Sequence, residues 1–219
     1  MRLRPRTDQL RAASALLVVL AVGLAILFVA AGRPASGPQP IAAAKEPAVG
    51  AAQAAGVATA GALVPAHLTI PAIGVDAPVE ARGTVRYKNP FTGAMVDGYG
   101  VPKSMHTTAW WSDGPRPGSG AMAVILGHEG AAGGAVFDGL HRLRPGDEVD
   151  LRNSSGAVLR LTVLGAPVTG LDKATSALGD TLSRHPRAAA LALVTCGGQF
   201  DAHVGASRDN TVVFAAPAG

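Results

Sequence analysis

The chain of 219 residues has one cysteine, Cys196. A lone cysteine has no intramolecular disulfide partner, so no covalent staple holds the fold. No C-x-x-C or H-x-x-x-H spacing occurs, which removes the common zinc patterns. The acidic residues form no dense loop of the kind that binds calcium. No metal and no cofactor is expected. Aromatic residues make up only 4%, whereas glycine (28) and proline (16) are plentiful. Many turns and few bulky anchors suit a β domain better than a helical bundle. The folded part also lacks a charge excess. The formal net charge is +4, but Arg2, Arg4, Arg6, Arg11, Arg33 and Lys45 stand against only Asp8 and Glu46 before residue 65. The rest of the chain carries 13 of the 19 basic and 13 of the 15 acidic residues. A balanced domain offers no overall electrostatic footprint for nucleic acid.

The N-terminal third has its own pattern. Residues 12–31, AASALLVVLAVGLAILFVAA, carry no charge. At about 1.5 Å per residue such a run spans the ~30 Å hydrocarbon layer. Four arginines precede it within residues 1–11. By the positive-inside rule this basic segment is cytoplasmic and the rest lies outside. A cleaved signal peptide usually has a shorter apolar core, and the small residues of FVAAG would permit cleavage; an uncleaved signal-anchor is preferred. Both readings export the domain. Residues 33–64 are rich in Ala, Gly and Pro and read as a disordered linker. The domain is expected over 65–219.

From residue 65 the pattern is extended. HLTIPAI and VDAPVE are short runs broken by Pro71 and Pro78. AMAVILG (121–127) reads as a buried strand, DEVDLRN follows a Pro-Gly turn, and AVLRLTVLG (157–165) alternates with Leu159, Leu161 and Val163 on one face. ALALVTC (190–196) and TVVFAA (211–216) are two more strands, and 175–186 is the one helical segment. Short strands with Gly/Pro turns indicate an all-β barrel or sandwich.

Cys196 ends a strong strand, and Gly197-Gly198 frees the backbone beside it. It is a buried inert thiol, an interchain partner or a reactive nucleophile. A nucleophilic thiol needs a base or cation nearby and a donor for the oxyanion on the attacked carbonyl. Six histidines are available. His128 follows AVILG where a buried strand opens into HEGAAGG, and His203 is the rival nearest Cys196 in sequence. Arg208 precedes TVVFAA and returns beside Cys196 if the last two strands pair; otherwise it is a surface ion pair with Asp209 or Asp201. Spacing alone leaves these choices open.

LTIPAIGVDAPVE, PGSGAMAVILGHEG, VFDGLHRLRPGDEV and LALVTCGGQFD with SRDNTVVFA occur in one order along 65–219. In this the chain resembles the sortases, most closely the actinobacterial class E/F group. The resemblance implies an eight-stranded β-barrel and a cysteine transpeptidase. Such an enzyme cleaves an LPxTG-like sorting signal through a thioester and passes the acyl group to an amine, commonly on a cell-wall precursor. It implies Cys196 as nucleophile, His128 as general acid and then base, and Arg208 as binder of substrate carbonyls or the oxyanion. Thr195 and Gly197 would shape the substrate site. Trp111, in AWWSDG, would wall the peptide groove or pack on the barrel. Relatives often carry Asp two residues after the histidine; here Gly130 stands there and Glu129 comes first. The segment LDKATSALGDTLSRHPRAAA lacks an expected aromatic residue. The competing readings are an L,D-transpeptidase, for which the Ser-His-Gly-Cys run is missing, a tethered binding domain with an inert thiol, and a barrel hydrolase that releases peptide to water.

Overall fold

The computed structural model describes residues 61–219. The basic segment, the apolar run of 12–31 and most of the expected linker lie outside the described residues. No helix among the described residues is long and apolar enough to cross a membrane. The fold begins earlier than residue 65. Leu63 is only 4% exposed within the main core, and its N–H donates to Pro117 O at 2.9 Å. An apolar side chain this close to the barrel gains more from burial than a linker residue loses in freedom.

Eleven strands form in order: β1 His67–Ile70, β2 Val75–Arg82, β3 Thr84–Lys88, β4 Met95–Tyr99, β5 Thr108–Trp111, β6 Ala123–Gly127, β7 Glu148–Arg152, β8 Val158–Val163, β9 Val168–Asp172, β10 Leu191–Asp201 and β11 Ala206–Pro217. One helix, α1 Ala177–Ser183, precedes β10. The sheet order β10-β6-β5-β2-β1-β7-β8-β11 closes through β10–β11, giving an eight-stranded barrel. β9 adds to β11 outside the ring, and β3–β4 form a separate two-stranded hairpin.

Strand alternation sorts the side chains into two cores. Leu68, Ile70, Ile125, Leu151, Leu161, Leu193 and Val213 fill the barrel interior. On the outer face, Val124, Leu126, Ala192, Val194, Val212 and Phe214 form a second cluster, covered by Leu171 of β9 and Leu182 of α1. β10 is therefore apolar on both faces, as LALV requires. Proline does not interrupt β2. Pro78 lies where β2 passes from its last pairing with β1, at His67, to its first with β5, at Val79 and Thr108. The N–H that proline lacks is not needed there.

Candidate active site

The site is built where the parallel β6–β10 ladder stops: β6 ends at Gly127, whereas β10 does not end at Cys196 as the sequence suggests but runs on to Asp201, paired with β11. β6 and β10 pair in register, with Leu193 opposite Ile125 and Val194 opposite Leu126. Two residues past these positions stand His128, just beyond the end of β6, and Cys196, within β10. Neighbouring strands run about 4.8 Å apart, and equivalent positions of a parallel pair face the same way. Val194 faces outward, so Cys196, two residues on in β10, does too. Between them Thr195 turns inward and its hydroxyl donates to Gly127 O at 2.9 Å, fully buried. This bond clamps the end of β6 to β10 where their ladder stops.

Close packing fixes the histidine end. Gly127 has no room for a Cβ, which would meet the Phe137 ring at 2.4 Å. Phe137 is completely buried, and its N–H donates to His128 O at 3.0 Å. Asp138 then accepts from Gly130 N and Ala135 N, both at 2.8 Å, closing the glycine-rich loop. The imidazole Nε2 lies 2.9 Å from Pro102 O. A carbonyl only accepts, so Nε2 carries the hydrogen and neutral His128 keeps Nδ1 as its basic atom. The loop that brings Pro102 is held by Glu80, which accepts from Thr107 Oγ1 at 2.6 Å and Lys103 N at 3.2 Å. The Thr107 bond holds the Glu80 carboxyl below the usual glutamate range.

β11 brings the other side. Cys196 faces Asn210 across the antiparallel β10–β11 pair. Asn210 Nδ2 donates to Thr195 O at 3.2 Å. Arg208, two residues before Asn210, lies on the same face as Cys196 and is 52% exposed. Its guanidinium carbon lies 5.7 Å from the Phe91 ring centre, and Nη1 is 3.9 Å from Asp201 Oδ2. The Asp201 contact is at the limit of an ion pair and contributes little. Gly197 and Gly198 are required here for space. A Cβ on Gly197 would meet Thr211 Oγ1 at 2.7 Å, and Gly198 adopts φ +72° against the Asp209 carboxylate. The Cys196 thiol is partly buried and forms no disulfide.

The structure thus gathers His128, Thr195, Cys196, Gly197 and Arg208 at one end of the barrel. His203 is elsewhere, in the exposed turn that joins β10 to β11. Trp111 is not beside the thiol. It lies at the opposite end of β5 from Thr108, which pairs with Gly127. There it packs on the outer apolar cluster, stacks edge-on with Tyr99 at 5.1 Å and donates to Thr84 Oγ1 at 3.0 Å. Trp110 enters the barrel core.

Two features were not anticipated from the sequence. Lys173, just after β9, places Nζ 3.2 Å from Cys196 Sγ and 2.8 Å from Ser207 O. Only the register of β9 on β11, with Asp172 opposite Asp209, sets it there. The second is the tip of the β3–β4 hairpin. Asn89 accepts from Phe91 N and Thr92 N within the turn and donates to Lys173 O at 2.7 Å. Glu129 turns toward Gly197, and burial pushes its carboxyl above the usual range, only partly offset by His141 and Lys173.

A closed eight-stranded barrel with a thiol on one strand and an imidazole just beyond the end of its parallel neighbour defines a class of cysteine-bearing β-barrels. Residues 68–218 match the family described as the sortase domain. The chain belongs to the sortase family, whose members are cysteine transpeptidases. Among solved structures, it is similar to sortase A from Corynebacterium diphtheriae, at 21% identity, covering 73% of this chain and 63% of that one, with a TM-score of 0.49. Sortase C-1 from Actinomyces oris is 18% identical over 70% of this chain and 71% of that one, with a TM-score of 0.49. A Clostridium perfringens sortase D5 transpeptidase is 17% identical over 71% and 79%, with a TM-score of 0.48. No curated protein gives a significant match.

Proposed function

We propose that this chain is a membrane-anchored, extracytoplasmic cysteine transpeptidase of the class E/F type. It cleaves an LPxTG-like sorting signal and joins the acyl part to an amine of a cell-wall precursor or another protein. The observation that supports this reading is the β6–β10 pairing, two residues beyond whose last paired positions Cys196 and His128 follow on neighbouring chains.

In the proposed mechanism the Cys196 thiol gives its proton to His128 as the sulfur attacks the carbonyl carbon of the scissile peptide bond. The carbonyl electron pair moves to oxygen, and a cation beside the thiol stabilises the resulting charge. Collapse breaks the C–N bond, and His128 protonates the departing amine. The thioester then meets an incoming amine, from which His128 takes the proton. Attack by that amine expels the sulfur, which recovers a proton from His128 as the free thiol, and leaves a new amide. The N-terminal segment, with four arginines before an uncharged run, supports the anchor and the cytoplasmic N-terminus.

Product analysis tests this reading. The full chain in detergent micelles is incubated with LPxTG-like and LAxTG-like peptides, with and without an added amine. Amine-coupled product that disappears in Cys196→Ala supports the transpeptidase. Hydrolysed peptide alone, unchanged by the amine, would favour a hydrolase. No product together with a Cys196 inert to iodoacetamide would favour a binding domain.

A further inference from the structure

Resting on the thioester chemistry just proposed, the geometry points to Lys173 as the residue that stabilises the oxyanion. The family resemblance gives that role to Arg208. The negative charge of the tetrahedral intermediate develops on an oxygen two bonds from Sγ, so its donor must already lie beside the sulfur. Lys173 Nζ lies 3.2 Å from Sγ and is the one side-chain donor bonded to it among the described residues. Arg208, in contrast, lies over the Phe91 ring and reaches toward Asp201. It forms no hydrogen bond to Cys196.

The ammonium is held in place from several sides. Nζ also donates to Ser207 O at 2.8 Å. The Lys173 backbone N–H donates to Arg208 O at 2.9 Å, and its carbonyl accepts from Asn89 Nδ2 at 2.7 Å. Asn89 is itself buried, at 8% exposure. A lysine normally loses much side-chain freedom when it is ordered; here the fold supplies that ordering before substrate arrives. An ammonium has three N–H groups. Two are engaged, by Sγ and Ser207 O, and the third has no partner among the described residues. As attack proceeds, negative charge leaves sulfur and appears on oxygen. The N–H now aimed at sulfur and the uncommitted one both lie within reach of that oxygen. Such a donor binds the transition state more tightly than the ground state, which is the condition for acceleration.

The test compares two reactions of one thiol. p-Nitrophenyl acetate acylates Cys196 through a tetrahedral oxyanion. The S–C bond forms, the ester C–O bond breaks, p-nitrophenolate leaves, and the thiol proton passes to solvent or His128. Iodoacetamide alkylates the same sulfur by displacing iodide and builds no oxyanion. Cys196 is the only cysteine, and subtracting the rates of Cys196→Ala removes acylation of amines and imidazoles, so both corrected rates report one site. Both are measured on the full chain in micelles for wild type, Lys173→Met and Lys173→Arg. Removing an oxyanion donor slows acyl transfer by about 10²–10³-fold, so the acylation-to-alkylation ratio should fall by about that factor in Lys173→Met. Lys173→Arg, which keeps a cation, should recover part of it. Equal loss of both rates would mean that Lys173 acts through the sulfur or the fold alone, and would overturn the proposal. An unchanged ratio would overturn it as well. A wild-type thiol inert to both reagents would instead sink the transpeptidase reading, and this inference with it.

Discussion

Adding one methyl group at Gly127 should disturb the site from inside the barrel. A Cβ there falls 2.4, 2.6 and 2.8 Å from three atoms of the Phe137 ring. The ring is completely buried and has no free volume into which to retreat. Overpacking of this kind costs about 1–3 kcal/mol. Phe137→Ala alone costs about 3–5 kcal/mol through lost burial and the cavity left behind. If the two changes were independent, the double variant would lose about 4–8 kcal/mol. They are in contact, so they should not be independent. In Gly127→Ala/Phe137→Ala the new methyl enters the space the ring vacated, and the clash disappears. The double variant should therefore be no less stable than Phe137→Ala alone. Denaturant unfolding of the four proteins closes the cycle, and each kcal/mol also appears as about 2–4 °C in Tm for a domain of this size. Stability losses that add within about 0.5 kcal/mol would refute the packing argument. Because Phe137 N–H holds the His128 carbonyl, Gly127→Ala should also slow Cys196-dependent turnover by more than its stability loss explains.

The strand clamp and the loop anchors give three further expectations. Thr195→Val keeps the side-chain shape but leaves Gly127 O without the hydroxyl; a loss of about 1–3 kcal/mol is expected, read from the denaturant midpoint, with slower acylation of Cys196. Asn89→Ala removes the turn bonds to Phe91 N and Thr92 N and the bond to Lys173 O; proteolysis within residues 84–99 should accelerate, while the melting of the barrel changes little. Glu80 gives a pH signature with a definite sign. Its carboxyl is held below the usual range by Thr107, so the folded state binds that proton less readily than the unfolded state. Its stabilising contribution is full above the ordinary glutamate value and disappears as pH falls through the lowered folded value. The Tm difference between wild type and Glu80→Gln should be constant near neutrality and shrink on acidification to about pH 3. A difference that grows on acidification would contradict the assignment.

The strands that could be read in the sequence are those whose burial leaves a pattern. β6 and β10 are continuous apolar runs because both of their faces are covered. β8 alternates because only one of its faces is. The pairing of β10 with β11 followed from two adjacent strands joined by a short connection, and it carried Arg208 toward Cys196. β3 and β4 left no such trace. They pair only with each other, and every residue of β3 is exposed. β9 is short, sits outside the ring and buries little besides Leu171. Lys173 was illegible for the same reason, since a lysine after such a strand looks like any solvated charge until the β9–β11 register is known. The role of Phe137 was equally hidden, because nothing local in VFDGL shows that its ring fills the space above Gly127. Pro78 misled in the other direction. Its missing donor looked like a strand break, but it falls where β2 exchanges partners.

The central claim is that Cys196 carries an acyl group as a thioester. Intact-protein mass, recorded within the first turnover after mixing the full chain with an LPxTG-like peptide, measures this directly. The account predicts an adduct equal to the peptide acyl fragment that forms on wild type and is absent from Cys196→Ala. Added amine should discharge it with formation of coupled product. Cleavage of the peptide at an undiminished rate by Cys196→Ala would contradict the account.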